Sequence, residues 1–489
     1  MAGEHTIKFL EIQDQKLPDV QAEVDWRGGV NGLPSETKRL LLIGASKNLN
    51  GEIRRATSIE GAIDDYGEGS VMAGMVQAAL TTSAKIELYT LSVDEGTGQA
   101  TLDSTFTGNA TAAGVIRIWA AGELFQVAVA NGTAAASVAT DVIAKIDNDK
   151  YNLPVGVSAG AAGVAQWDAN ELGLAGNSIR IRVDTTNVPG IQVNHGGGAA
   201  EIADDPLAAG ATDVDPVTVL ATLQGEQRYH LICLGSESTA NITVLKTHME
   251  LMATPTYQRW GIGIVATVSG SATAQTIADT EDSKRLQLFS LPDSPRPVWE
   301  VAAAFAAARA SKDARDELDD YELKYLQPEV DTTTWPSDPD LESDLDEGVT
   351  PAKFVRQGAR VLITRSVHTE HSSGAAQQKA WDTTIVEKAD FYREALILAF
   401  AKYKGATLKT ASPAGRSGTL TPKKAVGVML ATAMRLDSLD YLQGVKTDNK
   451  NGLFVAQANA TNPDRLDLGS PFRPSRSAHF IAIQVTYTF

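Results

Sequence analysis

The residues that could do chemistry in this sequence are few and poorly grouped. Metal chemistry needs three or four ligands converging on one point. Of the histidines His5, His195, His230, His248, His368, His371 and His479, only two fall together, in His368-Thr369-Glu370-His371. That spacing misses the i, i+4 face with which His-Glu-x-x-His holds zinc on a helix, and its setting reads as a polar loop. His195 stands in Asn194-His195-Gly196-Gly197-Gly198, where an imidazole base beside flexible backbone could move a proton; a plain surface turn is the commoner meaning of such a run. Cys233 is the single cysteine, so no intrachain disulfide can form. Its flanks, Tyr229-His230-Leu231-Ile232 and Leu234-Gly235, read as a buried strand carrying a core thiol. Ser35, Ser46 and Ser373 lack the Gly-x-Ser-x-Gly setting of a nucleophile elbow.

Phosphate chemistry is no better supported. The apolar strand Arg39–Gly44 ends at glycine, as nucleotide-binding strands do. Neither Gly-x-Gly-x-x-Gly nor Gly-x-x-x-x-Gly-Lys-Ser/Thr follows it, and the next turn is Lys47-Asn48-Leu49-Asn50-Gly51. Gly67, Gly69 and Gly74 lead into a helix whose start could hold an anion, but a tight turn and close packing are much the commoner reason for such glycines. With no anchor for catalysis, no enzyme activity, cofactor or metal is expected.

The elements that would have to position such residues suggest a multidomain chain. Its 489 residues exceed a single ordinary core, and 43% hydrophobic with 21% charged residues suits a folded protein. The net charge of -17 disfavours nucleic acid and anionic membrane as partners. Acidity is uneven: 24 Lys/Arg stand against 50 Asp/Glu in residues 1–350, but 19 against 10 in residues 351–489. The basic last quarter either docks on acidic surface or reflects ordinary unevenness between domains. Met1–Gln15 is polar and unlike a signal peptide. No apolar run approaches the roughly 20 residues that cross a bilayer, so folding and assembly in cytoplasm are expected.

Strand and helix signals alternate. Arg39–Gly44 has the all-apolar composition of a central parallel strand. Helices are expected at Glu60–Asp65 and Ser70–Thr82, and a strand at Ile86–Leu91. Residues 96–205 turn Gly- and Ala-rich, with a hairpin of Val115–Ala120 and Leu124–Ala130, a helix at Thr133–Asp147 and strands at Leu153–Val157 and Ser178–Val183. An α/β pattern resumes at residue 206 and closes on the apolar helix Trp299–Ala310. Residues 311–350 hold 14 Asp/Glu and three Lys/Arg, which reads as a loose acidic loop or spacer. Further on, a strand at Ala359–Thr364, a helix at Thr383–Tyr403 and a helix opening near Pro422 are expected. The fold class is thus α/β (α+β) and multidomain: a discontinuous α/β core, an inserted β-rich outer domain and extended terminal arms. Its parts are residues 1–26 (arm), 27–95 (core), 96–205 (insert), 206–310 (α/β), 311–350 (acidic spacer), 351–479 (C-terminal core) and 480–489 (closing strand).

The two ends share one property. Ile7 and Phe9, then Val20, Val24 and Trp26, alternate with polar residues, as do Ile481, Ile483, Val485, Tyr487 and Phe489. A strand with one apolar face needs a sheet to complete it, and β-augmentation of a neighbouring subunit supplies one. Asp14–Pro18 and Arg473-Pro474-Ser475-Arg476-Ser477 could serve as the hinges of such arms.

Several phrases, in order, resemble Mu-like contractile phage tail sheath proteins. They are Arg39–Gly44, Tyr66-Gly67-Glu68-Gly69-Ser70-Val71-Met72-Ala73-Gly74-Met75, Phe106-Thr107-Gly108, Leu153-Pro154-Val155 and Gly173-Leu174-Ala175-Gly176-Asn177-Ser178-Ile179-Arg180. Ala460-Thr461-Asn462-Pro463-Asp464-Arg465-Leu466-Asp467 and the closing Phe480–Phe489 complete the set. The acidic stretch 311–350 departs from the family pattern. The resemblance implies a non-enzymatic sleeve subunit in stacked hexameric rings of its own copies. It also implies an inner tail tube protein, baseplate and tail terminator proteins as partners, with neither direct nucleic-acid nor membrane binding. Thr6–Trp26 and Phe480–Phe489 would then be the subunit-linking arms, and the virion tail the location. A static tube or shell is the alternative, and sugar binding by the insert a minor one.

Overall fold

The computed structural model describes residues 38–225, 227–328, 335–355, 359–371, 381–409, 419–462, 464–477 and 479. The arm residues Ile7, Phe9, Val20, Val24, Trp26, Ile481, Ile483, Val485, Tyr487 and Phe489 lie outside them, as do Ser35 and Ser373.

The chain is a mixed α/β protein. β1 (Arg39–Ala45) is followed by β2 (Ile53–Ala56), α1 (Ile59–Tyr66), α2 (Val71–Thr82) and β3 (Glu87–Val93). Ser70 caps α2, its hydroxyl accepting from the Ala73 amide at 3.1 Å. Next come β4 (Gln99–Gly108), β5 (Gly114–Ala120), β6 (Glu123–Val129), α3 (Ala135–Asp149), β7 (Val155–Ala159), β8 (Val164–Leu172), β9 (Arg180–Asp184), β10 (Ile191–Asn194) and β11 (Ile202–Pro206). They are followed by α4 (Val217–Thr222), β12 (Leu231–Leu234), α5 (Thr239–Met252), β13 (Ile262–Thr267), α6 (Ser271–Glu281), β14 (Leu286–Ser290) and α7 (Val298–Ala310). Then come β15 (Tyr321–Glu322), α8 (Asp338–Asp346), β16 (Thr350–Val355), β17 (Arg360–Ile363) and α9 (Thr383–Ala401).

Among the described residues a nine-stranded sheet runs β15-β17-β16-β14-β13-β12-β1-β3-β2. Its middle is parallel: Leu40 of β1 lies opposite Leu231 of β12 on one side and Leu88 of β3 on the other. Such strands are covered on both faces, which is why Leu40 to Ile43 are fully buried and why their sequence does not alternate. Helix α7 is buried on every side and packs on α2, β12 and β13. Gly74 of α2 permits that approach, since a Cβ there would lie 3.1 Å from Trp299 Nε1 and Glu300 Oε1.

Strands β4 to β11 make two four-stranded antiparallel sheets, β10-β4-β8-β7 and β11-β9-β5-β6. Phe106, Ile116, Ile118, Trp167, Ile181 and Val183 are buried in their core. The expected hairpin is β5–β6, with Ala120 opposite Glu123.

The acidic stretch differs from a loose spacer. It contains β15 and α8, it buries Leu318, Leu323, Tyr325, Leu326 and Leu341, and Ser337 and Asp340 form a capping box at the start of α8. Apolar residues every few positions anchor it, which the charge density conceals.

Two compact units partition the described chain: one takes the residues up to Asp390 and those from Pro474 on, the other is Phe391–Arg473. The smaller unit holds most of α9, β18 (Thr407–Leu408), β19 (Thr419–Leu420), α10 (Pro422–Asp437), α11 (Val445–Lys450), β20 (Val455–Ala458) and β21 (Leu466–Gly469). Pro422 occupies the first turn of α10, and Thr421 caps it through the Lys424 amide. Phe391 stacks on Tyr441 at 4.4 Å between ring centroids.

Candidate functional site

The opening turns of α9 gather residues that are distant in sequence, Lys38 on one side and Ser475–His479 on the other. At the entrance, Lys38 Nζ donates to both oxygens of Glu387 at 2.8 Å. Arg309 Nη2, from the end of α7, reaches the same carboxylate at 2.7 Å. All three side chains are at most 9% exposed, so one buried carboxylate serves two cations. Burial and the Arg309 charge pull the Lys38 ammonium down to about 8, against the pull of Glu387. Three residues along the helix, Arg285 pairs with Asp390 through both of its terminal nitrogens.

At the exit, Lys388 Nζ donates to the Ser475 carbonyl at 2.9 Å. Ser477 Oγ donates to Glu317 Oε1 at 3.0 Å. The His479 ring is flanked by carboxylates: Nδ1 lies 2.5 Å from Asp319 Oδ2, and Nε2 lies 3.2 Å from Asp382 Oδ2 and 3.9 Å from Glu317 Oε1. Asp382 caps α9, its other oxygen accepting from the Thr384 amide at 3.0 Å. The bond to Asp382 raises the His479 pKa against partial burial, and Asp319 adds to it. Burial pushes Asp382 up, but hydrogen bonds from His479 and Thr384 and the Arg365 charge outweigh it, so it sits well below the carboxylate range. Burial, then Asp382, raises Glu317.

The residues singled out by sequence behave otherwise. His368 is fully buried, with Nδ1 3.3 Å from the Leu286 carbonyl, and burial drives its pKa down to about 3. His371 instead faces Asp279 at 3.1 Å, so the pair shares no ligand position. His195 is not a surface-turn histidine: its side chain is 1% exposed, and Nε2 lies 2.8 Å from Ser104 Oγ, which accepts from Trp167 Nε1 at 2.9 Å. The turn itself is carried by Asn194, whose Oδ1 accepts from the Gly196 and Gly198 amides. Cys233 is fully buried, and burial raises its thiol. Ser46 is buried and accepts from the Asn48 amide. At the start of α2, Gly69 has φ +71 and no room for a Cβ beside the Leu153 carbonyl, while the Val71 amide donates to Glu171 Oε2 at 3.0 Å. The chain's own carboxyl group therefore occupies the helix start. No helix among the described residues is long and apolar enough to cross a membrane.

Sequence reasoning passed over Glu317, Asp319, Asp382, Glu387 and Lys388. The one available signal was Asp382-Thr383-Thr384 ahead of an apolar-periodic run, which marks a helix cap.

This architecture is the fold of tail sheath proteins. The sheath tail protein of Desulfitobacterium hafniense superposes with a TM-score of 0.52 at 12% identity, over 94% of this chain and 97% of that one. That of Listeria innocua gives 0.50 at 14%, over 92% and 94%. In sequence, the chain is a homologue of the Mu-like prophage FluMu tail sheath protein of Haemophilus influenzae, 26% identical over 324 residues. The match takes in 64% of each chain, so under two thirds of that relative's length is represented. No protein-family model matches the chain.

Proposed function

We propose that the chain is a structural tail sheath subunit that polymerises around an inner tail tube and contracts to drive the tube through a host envelope. The observation that carries this reading is the convergence of Lys38 and the Ser475–His479 run on the start of one helix. Lys38 and the Ser475–His479 run are held by Glu387, Lys388 and Asp382 within the first turns of α9. Strand-patterned sequences lie beyond each anchor, and the Mu-like relative and the shared fold support the assignment.

A subunit that must stay linked while its neighbours rotate needs connections that survive the motion. Backbone pairing by exchanged strands provides them, because main-chain hydrogen bonds hold while side chains fix register. With both arms rooted on one rigid helix, tension passes through that helix and the core sheet need not distort. Partners in this reading are further copies in stacked hexameric rings, the tube, and baseplate and terminator proteins. The work is mechanical and requires no catalytic residue, and the place of action is the virion tail.

Electron microscopy of the purified full chain beside a chain ending at Ala478 tests the role of the last residues. Sleeves or stacked rings are expected from the full chain and dispersed subunits from the shortened one. Equal assembly by both would refute the linking role. Sleeves of one fixed diameter and pitch, with no second state after triggering, would favour a static tube.

A further inference from the structure

We propose that Glu317, Asp382 and His479 form a site for a divalent transition metal of the Zn2+ class at the root of the C-terminal segment. One ligand atom from each residue lies within 4.8 Å of those from the other two. The His479 Nε2 distances of 3.2 Å to Asp382 Oδ2 and 3.9 Å to Glu317 Oε1 are close to what such an ion demands. Donors at 2.0–2.2 Å from a tetrahedral centre stand about 3.3 to 3.6 Å apart, so a small rotation of the Glu317 carboxylate closes the set.

Two further observations point to an ion. Glu317 is nine-tenths buried, at 10% side-chain exposure. Its Oε1 accepts from Thr384 and Ser477, yet among the described residues Oε2 is buried without a hydrogen-bond partner. A buried acceptor left unpaired is costly, and the same rotation of the carboxylate that closes the set would let an ion relieve it. On the far side of the ring, Asp319 takes Nδ1 at 2.5 Å. A carboxylate in that place fixes the tautomer that presents the Nε2 lone pair to a metal. The donor set of one imidazole and two carboxylates, without thiolate, suits Zn2+, Co2+ or Mn2+ rather than Cu(I). Three protein donors leave a fourth position for water. Arg365, 3.4 Å from Asp382 Oδ2, is the competing cation; its guanidinium lies over the Trp381 ring and can remain there when the carboxylate turns to a metal. Loaded, the site would join the Glu317 loop, the cap of α9 and residue 479, and so fix the point from which the closing segment departs.

The test uses full-length protein stripped with a chelator, dialysed, and titrated with Co2+ and then Zn2+. One equivalent per chain is expected, with Co2+ visible bands that Zn2+ abolishes. His479→Gln and Glu317→Gln should each weaken binding at least tenfold. Asp319→Asn, which changes only the outer carboxylate, should weaken it about 10- to 100-fold at unchanged stoichiometry. Asp382 caps a helix and is left intact. Circular dichroism identifies any variant that has lost its fold, and the other two then decide. Absence of stoichiometric metal on the stripped protein would overturn the site, leaving a charged His479 held by carboxylates alone. Affinity unchanged in folded His479→Gln would overturn it equally.

Discussion

Glu387 is the residue that ties Lys38 and Arg309 to the start of α9. Two cations, Lys38 and Arg309, lean on one carboxylate that is 8% exposed. Ion pairs buried this deeply gain little over an apolar substitute, because desolvation offsets attraction, but removing one partner strands the others. Glu387→Ala should therefore lower the free energy of unfolding by about 3–5 kcal/mol, read from urea denaturation. A change below about 1 kcal/mol, the value of an exposed pair, would mean that water reaches the cluster. None of this is legible in sequence. Lys38 and Glu387 are 349 positions apart, Ser477 and Glu317 160, and His479 and Asp382 97. The histidine pair that sequence does group, His368 and His371, turns its rings to different partners. His195 looked like a turn residue because its neighbours are glycines, whereas strand β10 ends one residue earlier and leaves the ring directed at Ser104.

At the scale of elements, sequence was most informative where burial is uniform. Strands β1 and β13 are nearly continuous apolar runs because the parallel sheet is covered on both faces, and helices α2, α7 and α9 carry long apolar patterns. Strands β4 and β8 escaped notice for identifiable reasons. A register shift interrupts β4 between Gln99 and Thr101. The buried face of β8 is Ala165, Trp167, Ala169 and Glu171, so small and acidic residues stand where an apolar alternation is sought. Helix α6 buries only Ala274, Ile277, Ala278 and Glu281 and shows little periodicity. Glu171 also gives the contact between β8 and the start of α2 a pH dependence. Burial lifts its pKa from 4.5 to about 8. The folded state then holds a proton that the unfolded chain releases, so the stabilisation is complete below 4.5 and is lost as pH rises through 8. Glu171→Gln keeps an acceptor for the Val71 amide and removes the titration. The urea midpoint of the natural chain should fall relative to this variant between about pH 5 and about pH 9. Parallel profiles would show that the carboxyl group is already ionised in the fold.

On the scale of the whole molecule, the fold shared with sheath tail proteins at 12–14% identity shows how little of the sequence the architecture requires. The core sheet was readable while the acidic stretch was not: a continuous apolar strand is a strong signal, and scattered anchors under a charged surface are a weak one. Charge offers a route to assembly. The last quarter carries the excess of basic residues, and Lys423 at the start of α10 is exposed, beside the half-buried Lys424 over the Tyr403 ring. In the proposed sleeve these lysines meet acidic surface on a neighbouring copy or the tube. Lys423→Glu with Lys424→Glu should then weaken assembly most at low salt and let added salt relieve the defect, seen by sedimentation across ionic strengths. Unchanged assembly throughout would remove this pair from the interface. The most direct test is a cryo-electron microscopy reconstruction of assembled sleeves in which each chain is traced past Lys38 and His479 to its ends. Val20–Trp26 and Ile481–Phe489 are expected to pair with strands of adjacent subunits. Both ends returning to the sheet of their own subunit would contradict it.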